Sequence, residues 1–157
     1  MNTAAVGVYS IVPSAAIFSA GSSSNYTITY TNGTLTVNAG AVGLWVGLTS
    51  SDINTLSNWQ SYSVPPASSN ITIPAGTPYV PVLAAIAEVN NLNIATGVAP
   101  SLNGMTLIID GAISGGGTLT STATSSLVIN GAAGTINFTS GSNSIQNLTL
   151  NLSLIHI

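Results

Sequence analysis

The chain of 157 residues contains no lysine, no arginine and no cysteine. Nucleic-acid binding draws its affinity from basic side chains that neutralise phosphates, so we expect no nucleic-acid partner. P-loop and Schiff-base enzymes each need a lysine, and both classes are excluded for that reason. Without cysteine the chain forms no disulfide, carries no thiolate nucleophile and offers no thiolate metal ligand.

Acidic residues are also scarce, since charged residues make up 2% of the chain, against about a quarter in a typical soluble domain. Hydrophobic residues make up 45%, which is not the composition of a disordered chain. The longest apolar run, residues 79–87, is too short to span a bilayer. The start of the chain lacks a positively charged segment, so an export signal is expected outside this sequence.

A β-hairpin is predicted over residues 25–38. Apolar residues alternate with threonine on both sides of Asn32 and Gly33, namely Tyr26, Ile28 and Tyr30, then Leu35 and Val37. Asn-Gly is the strongest short-range signal for a two-residue hairpin turn, because both residues tolerate a positive φ.

From Val89 onward, apolar pairs spaced two residues apart recur between turns rich in Gly, Asn and Ser. The pairs are Leu92/Ile94, Leu107/Ile109, Leu127/Ile129, Ile136/Phe138 and Leu148/Leu150. Two segments are nearly alike, VNNLNI at 89–94 and IQNLTL at 145–150. Short strands that recur every roughly ten to twenty residues are typical of a β-solenoid, along which asparagines can form ladders.

The predicted fold is therefore all-β, with an N-terminal β-hairpin or partial β-domain followed by a parallel β-helix. An antiparallel β-sandwich is the alternative, because it also uses short strands and tight turns.

Residues 6–38 resemble the C-terminal half of the MBG/YDG-type repeats of large bacterial surface proteins. The resemblance rests on the pattern Gly-x-Tyr-x-Ile-x-Pro at 7–13 and on residues 25–38 with their Asn-Gly-Thr-Leu-Thr-Val ending. The N-terminal half of such a repeat is missing, which implies that Met1 is not the natural start.

Residues 44–151 resemble a β-helical region of secreted surface proteins of Bacteroidota. Ile53 stands where that family has a tryptophan. The matching motifs are Trp45-Val46-Gly47, Ser51-Asp52-Ile53-Asn54, Asn58-Trp59, Val64-Pro65, Ile73-Pro74-Ala75-Gly76 and Asn91-Leu92-Asn93-Ile94.

Together the resemblances imply a fragment of an exported, adhesin-like repeat protein, extracellular or on the cell surface, with no catalytic residues and no cofactor. Its expected partners are neighbouring repeats of the same full-length chain, extracellular glycans or other surface proteins. The alternative is a β-helix that binds or acts on polysaccharides. The predicted domains are a partial MBG/YDG-type repeat at 1–38, a Pro-rich connector and solenoid cap with Trp motifs at 39–88, the start of a truncated β-solenoid at 89–151, and a non-native tail at 152–157.

The three acidic residues, Asp52, Glu88 and Asp110, are far apart in the sequence. Glycoside hydrolysis needs two carboxylates a few ångströms apart, which would require Glu88 and Asp110 to meet on adjacent coils. The calcium-binding Gly/Asp nonapeptide repeat is absent. We therefore expect a local turn contact for Asp52, solvated carboxylates for the other two, and no catalytic or metal site.

Four aromatic residues, Trp45, Trp59, Tyr62 and Tyr79, precede the predicted coils. Exposed aromatic rings could stack on sugars and form a glycan-binding surface. Alternatively, the two tryptophans could cover the open end of the solenoid, because terminal coils need caps.

The tail, residues 152–157, contains the only histidine, His156. Its sequence, Leu-Ser-Leu-Ile-His-Ile, is the translation of CTG TCT CTT ATA CAC ATC in a transposase mosaic-end adapter used to prepare sequencing libraries. We therefore expect adapter read-through here, with the natural gene continuing after about Asn151. The alternative is a native apolar end strand.

Overall fold

The computed structural model describes residues 7–17, 19–38, 40–131 and 134–151. Met1 and the tail with His156 lie outside the described residues, so the predictions about both ends of the chain remain predictions. The chain divides into two compact units, Met1–Ala39 and Gly40–Ile157.

Both units consist of short strands and turns, with brief 3-10 helices at Ser23–Asn25 and Leu56–Asn58. In chain order the strands are β1 Gly7–Ile11, β2 Gly33–Val37, β3 Ile71–Ile73, β4 Ala87–Val89, β5 Leu92–Ile94, β6 Thr106–Ile109, β7 Ile113–Ser114, β8 Leu119–Ser121, β9 Ser126–Ile129, β10 Phe138–Asn143 and β11 Asn147–Leu150.

The N-terminal unit contains a two-stranded antiparallel sheet. Strand β1 pairs with β2 along its full length, from Gly7 opposite Val37 to Ile11 opposite Gly33. No described residue of this unit is buried. Because an isolated pair of strands is only marginally stable in water, this sheet draws little stability from its own side chains.

Antiparallel structure is thus present in this unit, but the hairpin predicted over 25–38 is wrong in its first strand and its turn. Strand β2 pairs with the distant β1, and residues 26–30 form no strand. Neither Asn32 nor Gly33 has a positive φ. The hydroxyl of Tyr30 instead accepts a hydrogen bond from the N–H of Ala16 at 2.7 Å. Pairing with β1 satisfies the backbone of β2 and overrides the local turn preference.

The second unit is a parallel β-solenoid of about four turns. Its first sheet has the order β3-β5-β7, its second β11-β9-β6-β4, and its third contains β8 and β10. Single parallel bridges extend the third sheet through Ser101, Val82 and Asp52. The predicted parallel β-helix is confirmed. The β-sandwich alternative is wrong, because all paired strands of this unit run parallel.

One coil takes about 20 residues. In the second sheet Leu107 lies opposite Leu127, 20 positions later. In the first sheet Leu92 lies opposite Ile113, 21 positions later. Alternate residues of each strand point into the solenoid, so the predicted pairs Leu92/Ile94, Leu107/Ile109 and Leu127/Ile129 are all buried.

The last two predicted pairs are less covered. Ile136 and Phe138 are half-buried. Leu148 and Leu150 lie opposite the buried Leu127 and Ile129, but are 54% and 53% exposed. Among the described residues, the aliphatic partners of the inward face of β11 come from β9.

The solenoid begins earlier than Val89, the predicted start. Ile71 of β3 lies opposite Leu92, and Leu44 forms a parallel bridge with Thr72. Part of the predicted connector, residues 39–88, therefore belongs to the first coils. Ile71 and Ile73 form one apolar pair of the same kind, but proline-rich turns surround it and the sequence shows no regular repeat there.

Gly115 shows how closely consecutive coils approach at a corner. Its φ is +90°, and a Cβ atom at this position would collide with the carbonyl oxygen of Ile94 in the preceding coil. Gly76 has a similar φ of +79°, but a Cβ atom there would meet nothing within 4 Å. Both positions therefore require a residue that tolerates a positive φ, but only position 115 also lacks space for a Cβ atom.

We predict that Gly115→Ala lowers the free energy of unfolding by about 1–3 kcal/mol more than Gly76→Ala does. Both variants force alanine into the left-handed region, at a cost of about 1–2 kcal/mol, but only Gly115→Ala adds overpacking. Urea unfolding followed by tryptophan fluorescence measures the difference. Equal losses in the two variants would contradict the close approach of the coils at Gly115.

Candidate functional site

The two tryptophans form a buried pair at the first coil. Trp45 is 0% and Trp59 is 5% exposed, and their ring centroids lie 5.1 Å apart in an edge-to-face arrangement. The indole N–H of Trp45 donates to the carbonyl oxygen of Tyr79 at 2.7 Å. That of Trp59 donates to the carbonyl oxygen of Ile53, also at 2.7 Å. Both polar atoms are satisfied inside the protein, so the pair acts as packing.

Asn58 holds the loop that connects the two tryptophans in the chain. It is 0% exposed, and its Oδ1 accepts the N–H groups of Thr49 at 2.9 Å and Ser50 at 3.1 Å. Its Nδ2 donates to Ser50 Oγ at 3.0 Å and to the carbonyl oxygen of Asp52 at 2.9 Å. The amide thus uses both donor hydrogens and both acceptor positions. The Asn58-Trp59 motif is therefore a structural element that joins the loop to the core.

Glycan stacking is wrong for Trp45 and Trp59, because neither indole reaches the surface. Tyr62 and Tyr79 are 48% and 45% exposed, and their backbones are tied to the buried pair. The N–H of Tyr62 donates to the carbonyl oxygen of Trp59 at 3.0 Å, and the carbonyl oxygen of Tyr79 accepts the Trp45 indole N–H. The buried tryptophans therefore fix the backbone positions of the two exposed tyrosines.

Tyr62 also has a strained backbone, with a φ of +56°. A bulky residue rarely adopts this region, and such outliers cluster at functional positions. Of the four predicted aromatic residues, Tyr62 and Tyr79 remain as candidate contact residues.

The three carboxylates lie in separate local settings. Asp52 Oδ1 accepts the N–H of Asn54 at 2.9 Å, as predicted for a turn residue. The exposed Glu88 accepts a hydrogen bond from Ser68 Oγ at 3.2 Å. Glu88 lies opposite Ile108 of the next coil. Asp110 lies two positions further along that coil and is therefore not opposite Glu88. Within the described ranges, no three of the residues His, Cys, Asp and Glu form a group that could hold a metal ion.

Asp110 is half-buried and takes part in a hydrogen-bonded ladder between coils. Its Oδ1 accepts a hydrogen bond from Asn130 Nδ2 at 2.7 Å. Asn130 Oδ1 in turn accepts one from Asn151 Nδ2 at 2.8 Å. The predicted ladder of asparagines is confirmed here, with an aspartate in its first position.

A second ladder runs along another corner of the solenoid. Asn70 Oδ1 accepts hydrogen bonds from Asn90 Nδ2 at 2.9 Å and Asn91 Nδ2 at 2.8 Å. Asn91 Oδ1 accepts the N–H of Ala112 in the next coil at 2.7 Å. Among the described residues, no buried side-chain nitrogen or oxygen lacks a partner. Amides and hydroxyls, together with the carboxylates of Glu88 and Asp110, therefore connect the coils of a chain that has no basic side chain.

An apolar cavity of about 380 Å³ lies inside the first coils. Its walls are mainly buried aliphatic and aromatic side chains, including Trp59, Ile71, Leu83, Leu92, Leu102 and Leu119. Exposed residues also line it, namely Asn54, Pro66, Ala67, Ile86 and Glu88, so the cavity opens to solvent beside β4. Its volume lies within the usual range of small-molecule pockets.

The cavity has an identifiable origin in the sequence. Ala87 lies opposite Leu107 in the second sheet, and Leu107 lies opposite Leu127. Strand β4 therefore places a methyl group where the next two coils place leucine, and the missing volume adjoins the cavity, which Ala87 lines. The sequence pattern does not reveal this substitution, because the predicted solenoid begins at Val89, after Ala87.

No family model, curated protein or solved structure matches this chain. Over the described residues, no helix is long and apolar enough to cross a membrane.

We predict that Asn58→Ala lowers the free energy of unfolding by about 2–5 kcal/mol, because it leaves the N–H groups of Thr49 and Ser50 without their acceptor. Asn54→Ala is the matched control. Its side chain is exposed, so we expect a change within about 0.5 kcal/mol. Urea unfolding monitored by tryptophan fluorescence measures both. A loss for Asn58→Ala no larger than for Asn54→Ala would show that the amide does not support the loop.

Proposed function

We propose that the chain is a structural and adhesive, non-catalytic segment of an exported repeat protein of the bacterial cell surface. The observation that carries this proposal is the in-register stacking of coils through neutral contacts, in which Leu92 lies on Ile113 and Asn130 bonds to Asn151. Each coil contacts its neighbours, so such a stack is an extendable scaffold.

The distribution of carboxylates supports a non-catalytic role. Asp52, Glu88 and Asp110 each contact a different hydroxyl, amide or backbone group. An acid–base mechanism of the glycosidase type needs two carboxylates facing one substrate bond. The three local settings offer no such pair.

The sequence resemblances support the cellular location. The MBG/YDG-type repeats that residues 6–38 resemble belong to large bacterial surface proteins. The β-helical region that residues 44–151 resemble belongs to secreted surface proteins of Bacteroidota. The proposed location is therefore extracellular or at the cell surface. The proposed partners are neighbouring repeats of the same full-length chain, together with extracellular glycans or other surface proteins.

We predict that the complete reading frame in the source DNA encodes an export signal and further repeats, and that an antibody against this chain labels intact cells. Protease added to intact cells should remove the antigen, because a surface segment is accessible. An antibody against a cytoplasmic protein of the same cells is the control. A compact reading frame without an export signal, or an antigen that protease does not reach, would overturn the proposal.

The exposed tyrosines favour a second candidate function, polysaccharide binding without a catalytic step. Tyr62 and Tyr79 present half-exposed rings on backbone segments held by the buried tryptophans. Rings that are fixed in place lose little conformational entropy when a sugar stacks on them. An extracellular scaffold with this surface would hold a glycan through these two residues.

For this second candidate, a glycan array should show binding that Tyr62→Ala and Tyr79→Ala each weaken by about five- to tenfold, through loss of stacking worth about 1 kcal/mol. Tyr62→Phe and Tyr79→Phe keep the ring and are the matched controls. Absence of binding to every neutral and acidic polysaccharide tested would remove polysaccharide binding as a candidate.

A further inference from the structure

The apolar cavity extends through several coils of the solenoid. Ile71 belongs to β3, Leu92 to the next strand of the same sheet, and Leu102 and Leu119 to later parts of the chain. Residues of three successive coils therefore line the cavity. Neighbouring strands in a sheet lie about 4.8 Å apart, so a site lined by several coils can hold a hydrocarbon group along the axis.

The walls of the cavity favour an apolar occupant. Among the lining residues, Glu88 carries the only charge, and the buried wall consists of aliphatic and aromatic side chains. Water gains few hydrogen bonds in such a space, and empty apolar cavities are known to accept hydrophobic guests. Transfer of a hydrocarbon chain from water to these walls is favourable in proportion to the apolar area that it buries.

The opening of the cavity adds a constraint on the charge of the occupant. Glu88 and the exposed Ile86 lie at this opening. The chain contains no lysine and no arginine that could neutralise an anion. An anionic end group would therefore meet a carboxylate without a compensating cation, whereas an uncharged or cationic end group would not.

We propose that this cavity binds an amphiphile with a hydrocarbon tail and an uncharged or cationic end group, with the tail inside the solenoid and the end group beside Glu88. This site goes beyond the structural and adhesive role, and it does not involve Tyr62 or Tyr79, which do not line the cavity. A small apolar ligand would also replace the packing that Ala87 leaves out.

The first test is binding of the uncharged fluorescent dye N-phenyl-1-naphthylamine to the full 157-residue chain. Saturable binding with a Kd in the micromolar range is expected. Ala87→Leu, which restores the leucine found at this inward position in the next two coils, should weaken dye binding at least tenfold. It should also leave the protein folded, because it fills existing space.

Ala85→Leu is the matched control for this test. Ala85 is exposed and does not line the cavity, so adding leucine there should leave the Kd unchanged. Dye binding that survives in folded Ala87→Leu would overturn the proposal, since the dye would then occupy another apolar surface such as Leu148 and Leu150. Absence of saturable binding to the unmodified chain would overturn it as well.

The second test addresses the end group. Dodecylamine and dodecanol should displace the dye at concentrations at least tenfold lower than dodecanoate, with the amine and the carboxylate kept below their critical micelle concentrations and the alcohol below its solubility limit. Glu88→Gln should reduce this preference to less than threefold, with dye binding retained. Equal displacement by the three compounds, or an unchanged preference in Glu88→Gln, would overturn the assignment of the end group to Glu88.

Discussion

Every part of the solenoid depends on in-register contact between side chains about one coil apart. Leu107 must lie on Leu127, and Leu92 on Ile113, for the interior to exclude water. The strands that contain these residues are two to four residues long, so each strand forms few backbone hydrogen bonds. Because no ion pair with a lysine or arginine is available to this chain, aliphatic stacking and amide ladders carry the alignment. Ala87 shows the sensitivity of this arrangement, since one shortened side chain leaves a cavity.

Much of the solenoid could be predicted from the sequence, because its strands obey a simple rule. Apolar residues two positions apart face inward, and Leu107/Ile109 and Leu127/Ile129 are buried as expected. The two similar segments at 89–94 and 145–150 do not indicate the length of one coil. They contain β5 and β11, which belong to different sheets. The 56 positions between Leu92 and Leu148 do not equal a whole number of coils of 20 or 21 residues.

The candidate site was harder to predict, because burial depends on contacts that are distant in sequence. The burial of Trp45 and Trp59 agrees with the alternative that they cover core residues, but the sequence did not predict how far Tyr62 and Tyr79 are exposed. The prediction of the N-terminal hairpin was wrong for a similar reason, because β2 pairs with β1, which ends 22 positions before β2 begins. To predict the cavity from the sequence, one must compare Ala87 with Leu107. That comparison requires the register between the coils, which the structure provides.

The coil arrangement also determines how the molecule would respond to mechanical load. Hydrogen bonds between parallel coils run along the solenoid axis, so tension along that axis stretches them directly rather than shearing whole strands. Detaching one coil breaks only its contacts with a neighbour, and it frees about 20 residues, or about 70 Å of extended chain. The stack occupies only about 4.8 Å of axis per coil. Under tension such a stack would lengthen stepwise, one coil at a time, and dissipate mechanical work as each coil detaches.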